Sequence, residues 1–264
     1  MRNAKLTRFF FLFLLLGLSA CSERRQLKQV NEAEEKITQG SYGEAVAILK
    51  KAIVINPESK TAIKALYKLG FILENYLKDY DGAIGQYQEF IRLSLDKVSR
   101  YEVQKRIANL YFDQYREPEK AIAAYKKLIS FNPESLETDL FQFRIGQSYF
   151  RQNNFEQARY EYQQLLERFP KSQFTARTRF EIGNAYYMEG KYDIAEQAWQ
   201  QVVRNHTQSE YATEAQFMMA QCLEHQDKLQ NALQMYETLT GRYPASDVLE
   251  LRVAEIKKRI AKKK

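Results

Sequence analysis

The 264-residue chain is expected to be all-α, a right-handed superhelical solenoid of about six helix hairpins closed by a C-terminal capping helix. Three observations predict this. A small residue recurs at Ala45, Ala83, Ala121, Ala158, Ala195 and Ala232, at spacings of 38, 38, 37, 37 and 37. Four positions later stand Leu49, Tyr87, Tyr125, Tyr162, Trp199 and Tyr236, and Pro57, Pro133, Pro170 and Pro244 punctuate the gaps between units. A period of this length marks stacked supersecondary units, none of which can bury its apolar face alone. At 45% hydrophobic and 13% aromatic, with Gly 10 and Pro 5, the composition supplies a core and excludes disordered or collagen-like classes.

The first element is a leader. Residues 1–8 carry Arg2, Lys5 and Arg8 without an acid, and Phe9 to Ala20 form an uncharged apolar run. Twelve residues span about 18 Å as helix, short of a ~30 Å bilayer core, so residues 1–20 are expected to be a signal peptide. The sequence Leu18-Ser19-Ala20-Cys21 directly behind it resembles the lipobox of bacterial lipoproteins. That resemblance implies a lipid-modified Cys21 as first residue of the mature chain, and Ser22 rather than Asp implies onward transport to the outer membrane. Residues 21–26 are then a lipidated N-terminus with a short tether, reaching roughly 17 Å if extended.

Residues 27–246 are expected to hold the six hairpins. Apolar residues at i, i+3, i+4 and i+7 make each segment amphipathic. In the first helices Leu69-Gly70, Ile107-Ala108, Ile145-Gly146, Ile182-Gly183 and Met219-Ala220 set a large residue beside a small one. Gly or Ala facing Ala on the next helix would allow close approach, with Gly183 meeting Ala195. Gly40, Asn153 and Gly190 suit left-handed caps inside the hairpins. Between units, Pro stops one helix and Ser59, Ser135, Ser172 or Ser246 is placed to cap the next. Residues 90–99 and 206–209 lack that Pro.

The pattern of small pair, aromatic and Pro resembles the tetratricopeptide repeat, with Glu32 departing in the first unit and one extra residue in the second and third. The longer period, with junctions such as FPKSQFTA, is similar to the repeats of the outer-membrane β-barrel assembly lipoproteins (the BamD family) and of the Tol-Pal-associated periplasmic coordinators. The lipobox-plus-repeats architecture favours the former.

The last element, 247–264, is expected to be a capping helix with Leu249, Val253, Ile256 and Ile260 on one face and a basic tail. A solenoid's last apolar face needs such a cover. The tail either complements the helix C-terminus or docks on an anionic surface. The formal charge of +7 comes from the two ends; the body between them has fewer cations than acids, which gives no reason to expect nucleic acid as a partner.

Catalytic and metal chemistry is sparse. His206 and His225 lack partner ligands nearby, Cys222 reads as a small core residue, and no phosphate loop or hydrolase motif is present, so no enzyme, metal or cofactor is expected. The candidate surface is the groove lined by the first helices. Two residues before each large apolar position stand Tyr67, Lys105, Phe143, Phe180 and Phe217; two after stand Phe71, Asn109, Gln147, Asn184 and Gln221. Side-chain amides can hold the backbone of an extended peptide without reading its sequence, or be ordinary solvated groups. The rings can anchor a partner or pack as core. Lys105 with Asn109 resembles the start of the carboxylate clamp of chaperone-binding repeats, but Arg144 and Glu181 stand where that clamp has Asn and Arg. We therefore expect a lipid-anchored protein-binding scaffold on the periplasmic face of a bacterial outer membrane. Its partners would be other envelope proteins, β-barrel assembly components first, with Tol-Pal, cell-wall or pilus systems as alternatives and a substrate-recruiting enzyme as the competing class.

Overall fold

The computed structural model describes residues 22–263; the expected signal 1–20, Cys21 and Lys264 lie outside the described residues. All regular structure among them is helical: α1 (22–38), α2 (Tyr42–Ile55), α3 (Lys60–Ile72), α4 (Tyr80–Leu93), α5 (Lys97–Asn109), α6 (Pro118–Phe131), α7 (Thr138–Arg151), α8 (Phe155–Arg168), α9 (Thr175–Met188), α10 (Tyr192–Asn205), α11 (Glu210–His225), α12 (Leu229–Glu237) and α13 (Ser246–Lys262). The chain divides into two compact units between Tyr115 and Arg116, inside the third expected hairpin. The first unit holds α1–α5 and the second α6–α13.

The extra residue of the second and third repeats is absorbed in a helical turn wider than α. α3 runs on into a π-helical turn, Leu73–Leu77, where the Lys78 N–H donates to the Leu73 carbonyl five residues back. α5 runs on likewise into Leu110–Tyr115. One residue inserted into an α-helix is commonly taken up in this way. The residues that turn these chains back, Lys78 and Arg116, are left-handed at φ 56 and 53, where the other hairpins use Gly40, Asn153, Gly190 and Asp227.

Helix starts are capped less uniformly than the serine pattern suggests. Ser59 does cap α3, accepting from the Ala62 N–H at 2.9 Å. Ser135 and Ser172 stand two residues ahead of their caps, accepting instead from Glu137 and Phe174, and Ser246 is already inside α13. The two junctions without Pro are capped by Asp96 and Ser209.

The packing rule between paired helices also differs from expectation. A side-chain carbon added at Gly70, Gly146 or Gly183 would overlap the ring of Tyr87, Tyr162 or Trp199, respectively. The glycine thus makes room for the aromatic four residues beyond the partner Ala, and the atoms nearest a side chain at Gly183 are those of Trp199. Ala195 instead packs in a cluster with Ala215, Met219 and Cys222. Trp199, Tyr87, Tyr125, Tyr162 and Tyr236 are among the largest fully buried side chains. At the C-terminal end, Leu249 and Ile256 of α13 are buried against α11 and α12, with Val253 and Ile260 half-buried beside them. Its basic tail is pinned to the sixth hairpin: Arg259 pairs with Glu224 at 2.8 Å, Lys257 with Glu237 at 2.9 Å, and Lys263 with Asp227.

Candidate protein-binding groove

The candidate residues fall in both units. Lys105 and Asn109 lie on α5 in the first, Lys105 half-buried with its ammonium on Glu102 at 2.9 Å and Asn109 exposed. The other six lie in the second unit, on α7, α9 and α11, and only these are brought into one repeating register.

Of the ring column, Phe143 and Phe217 are core, while Phe180 keeps part of its face open. Phe143 is 1% exposed, packed between Tyr162 and Phe174 with centroids at 5.7 and 5.3 Å. Phe217 is 5% exposed and stacks on Tyr243 at 4.5 Å, with Tyr236 edge-on at 5.3 Å. Phe180 is half-buried between Trp199 (6.2 Å) and Tyr211 (5.7 Å). Each ring packs against the aromatic of its own second helix and the aromatic entering the next unit, and for Phe143 and Phe217 nearly all of the area is removed from water.

The amide column behaves differently. Gln147, Asn184 and Gln221 are all half-buried. The Asn184 Nδ2 donates to Glu181 at 2.9 Å, while Asn184 Oδ1 and Gln147 Oε1 are buried and have no hydrogen-bond partner within the chain. A buried acceptor left unpaired is unfavourable by about 1–3 kcal/mol, so a partner's donor is favoured at both places once the amide turns outward to meet it. The Glu181 carboxyl is raised from its ordinary value, chiefly by burial, against the opposing pull of Asn184 and Arg177. Arg177 lies with its guanidinium 5.0 Å from the Phe143 ring centroid and 3.8 Å from Glu181. Ring, guanidinium, carboxylate and amide thus form one chain of contacts across α7 and α9.

Gln221 opens onto a cavity of about 340 Å³ lined by Tyr187, Glu224, His225, Arg252 and Arg259. Tyr187 is on α9 and the two arginines on α13, so α9, α11 and α13 present one continuous surface. His225 stacks on Tyr192 at 5.2 Å and its Nε2 lies 2.8 Å from the Tyr187 hydroxyl. Arg252 is outside the basic tail that the sequence reading singles out, and Arg259, within that tail, is turned to this cavity. One more step of 37 from Ala220 falls on Lys257, which places α13 as a seventh first helix and its arginines beside the groove.

Cys222 is buried in the core, its thiol pushed up to about 12 first by burial and then by Glu196 and Asp193. Among the described residues no group of three or more His, Cys, Asp or Glu is gathered as a metal site would need, and no helix is long and apolar enough to cross a membrane.

Tetratricopeptide-repeat family models match residues 64–93, 136–208 and 180–247. No curated protein sequence matches the chain. Among solved structures, a tetratricopeptide repeat protein from Parabacteroides merdae is similar at 20% identity and a TM-score of 0.56, over 89% of this chain and 87% of that one. PilW, described as a widely conserved type IV pilus biogenesis factor, is similar at 15% identity and a TM-score of 0.53, over 86% and 97%. A chain of the Naa15/Naa10 complex bound to HypK-THB reaches 0.65 at 15% identity, over 92% of this chain and 36% of that one. These matches indicate no catalytic family, and at these identities the likenesses speak to fold. With the 37-residue period, the helix hairpins and the family models in agreement, the chain is built of tetratricopeptide repeats.

Proposed function

We propose that this protein is a non-catalytic scaffold of the bacterial cell envelope, held by lipid on Cys21 at the periplasmic face of the outer membrane. It grips an extended segment of a partner protein along the amide column of its second unit. The observation that carries this is the pair of unpartnered acceptors, Gln147 Oε1 and Asn184 Oδ1, recurring at one register on successive first helices. Backbone N–H groups of an extended chain are donors of the matching chemistry. The rings beneath serve as a rigid floor, and in the cavity beside Gln221, where Arg259 is already paired with Glu224, Arg252 suits an acidic side chain on the same segment. Within the envelope, a subunit of the β-barrel insertion machinery is the first reading, on the lipobox followed directly by repeats. Pilus assembly is the second, supported by the likeness to PilW, itself a pilus biogenesis factor.

Photocrosslinking tests the groove. A benzophenone side chain placed at Gln147 or Gln221 in the full chain should trap an envelope protein that the same group at exposed Tyr160 on α8 does not. The trapped protein, purified, should then bind the Asn184→Ala variant about fivefold more weakly, the equivalent of about 1 kcal/mol for one hydrogen bond. Adducts from Tyr160 alone, with full affinity in Asn184→Ala, would move the binding surface to the second helices.

A further inference from the structure

The start of the first unit is fastened unusually tightly to the turn that follows its first hairpin. Residues 22–26 are helical, part of α1, and not the extended tether expected from the sequence. Gln26 is fully buried: its Nε2 donates to the Ala52 carbonyl at 2.9 Å and the Asn56 carbonyl at 3.1 Å, and its Oε1 accepts from the Ser59 hydroxyl at 2.6 Å. Ser22 stands four residues from Gln26, about 6 Å along a helix. Ser22, the neighbour in sequence of the Cys21 expected to carry the lipid, is therefore held close to the turn 56–59.

α1 runs away from that edge, α2 returns to it, and α3 and α4 repeat the path. The turn 94–96 thus lies on the same edge as 56–59, and the Glu58 carboxylate acts on Arg92, one turn before α4 ends. Leu95 is 95% exposed there and Val98 71% exposed. They are not loosely held. Ser94 between them and α4 is buried, and the Asp96 carboxylate caps α5 through the Val98 and Ser99 N–H groups at 3.2 and 3.1 Å. The cap fixes a turn that projects an apolar side chain into solvent, and Val54, at the end of α2, is exposed on the same edge. Around them stand exposed Arg24, Arg25, Lys60, Lys97 and Arg100, against Glu23 and Glu58, with Asp96 engaged in the cap. Apolar residues ringed by cations suit the interface of an anionic bilayer, which attracts each cation near its surface.

We propose that this edge of the first unit, carrying the turns 56–59 and 94–98, rests on an anionic lipid surface. Leu95 and Val98 enter the headgroup region and the neighbouring cations sit over lipid phosphates. The proposal rests on acylation of Cys21, and it goes further by fixing which edge faces the membrane.

Full-length lipidated protein would be reconstituted on phosphatidylethanolamine–phosphatidylglycerol vesicles with an environment-sensitive fluorophore at Leu95→Cys, at Val98→Cys or, on the opposite edge, at Tyr76→Cys. Cys222, buried with its thiol pK raised, stays unlabelled. With nitroxide-bearing lipid, quenching at positions 95 and 98 should exceed that at 76 several-fold, and Leu95→Asp should lower quenching at 98 while the protein still floats with the vesicles. Equal quenching at all three positions on floating protein overturns the edge and leaves the anchor standing. A wild type that carries no acyl chain and does not float removes the anchor, and the proposal with it. A label at 95 that stays unquenched on vesicles yet is shielded on adding solubilised envelope proteins gives the edge to a protein partner and overturns the proposal too.

Discussion

The two units are made of the same hairpin yet present different surfaces. In α7, α9 and α11 of the second unit the positions flanking the large apolar residue read ring and amide each time: Phe143 with Gln147, Phe180 with Asn184, Phe217 with Gln221. In the first unit they read Tyr67 with Phe71 on α3 and Lys105 with Asn109 on α5. There the surface closes on itself. The Arg106 guanidinium lies 5.9 Å from the Tyr67 centroid and 5.4 Å from that of Phe71, and bonds Glu74 at 3.3 Å, which also accepts from the Tyr87 hydroxyl at 2.5 Å. The difference follows the spacing. Where the period is 37, side chains of one kind recur in register, and Gln147 and Asn184 keep an unpaired acceptor; where it is 38, the extra residue goes into a π-turn and Arg106 and Glu74 satisfy one another. A repeating ligand needs the first arrangement.

The largest expected effect comes from the ring column. Phe143→Ala should lower unfolding free energy by roughly 3–5 kcal/mol, since it removes a fully buried aromatic and leaves a cavity. Phe71→Ala, whose half-exposed ring meets Tyr76 at 6.1 Å and Arg106, should lower it by less than half as much. Denaturant melts followed by circular dichroism compare them. Equal losses would mean that the rings of the first unit are as much core as those of the second.

Next come two glycines. Gly183→Ala drives a methyl into the Trp199 indole, whose Nε1 donates to the Phe180 carbonyl at 3.0 Å, and should destabilise by about 1–3 kcal/mol. Gly85→Ala on α4 meets nothing within 4 Å and should stabilise by about 0.5–1 kcal/mol, through helix propensity alone. A pair of mutants shifting in the same direction would break the account of the glycine as a seat for the aromatic.

How far the sequence reveals such detail depends on how local its cause is. The hairpins, their left-handed Gly40, Asn153 and Gly190, and the burial of the aromatic at each second helix are written in single residues at fixed offsets. The unit boundary at Tyr115 is not, because α5 keeps the periodic pattern on one side and α6 on the other. Whether Phe143 is floor or anchor depends on Tyr162 and Phe174, respectively 19 and 31 positions away, both of which are themselves periodic, so either role fits the pattern. The unpartnered Gln147 Oε1 and Asn184 Oδ1 depend on what fails to come near them, which no sequence spacing records. Ser135 and Ser172 show the same limit at short range: a Ser after Pro promises a cap, and the turn geometry moves the helix start two residues on.

The smallest effect separates the units by pH. Glu181, on α9, is raised in the folded state, with burial the largest cause. Below the carboxylate range both folded and unfolded chains hold the proton and the group contributes nothing. As pH rises past the unfolded value, near 4.3, the unfolded chain releases its proton first, and stability falls until the folded group ionises too. Glu181→Gln keeps an acceptor for Asn184 Nδ2 and should therefore stabilise at pH 7 while leaving pH 3 unchanged. Asp96, capping α5 in the first unit, is lowered, by the Ser99 hydroxyl first and its backbone N–H next. Its contribution is present above the unfolded value and is lost as pH falls through the folded one. Asp96→Asn keeps a capping side chain, so it should weaken the protein slightly at pH 7 and not at low pH. Thermal melts of both variants at pH 3 and pH 7 read the two signs side by side. If Glu181→Gln destabilises at pH 7, Arg177 outweighs burial around that carboxylate, and an ion pair holds the chain of contacts under the amide column.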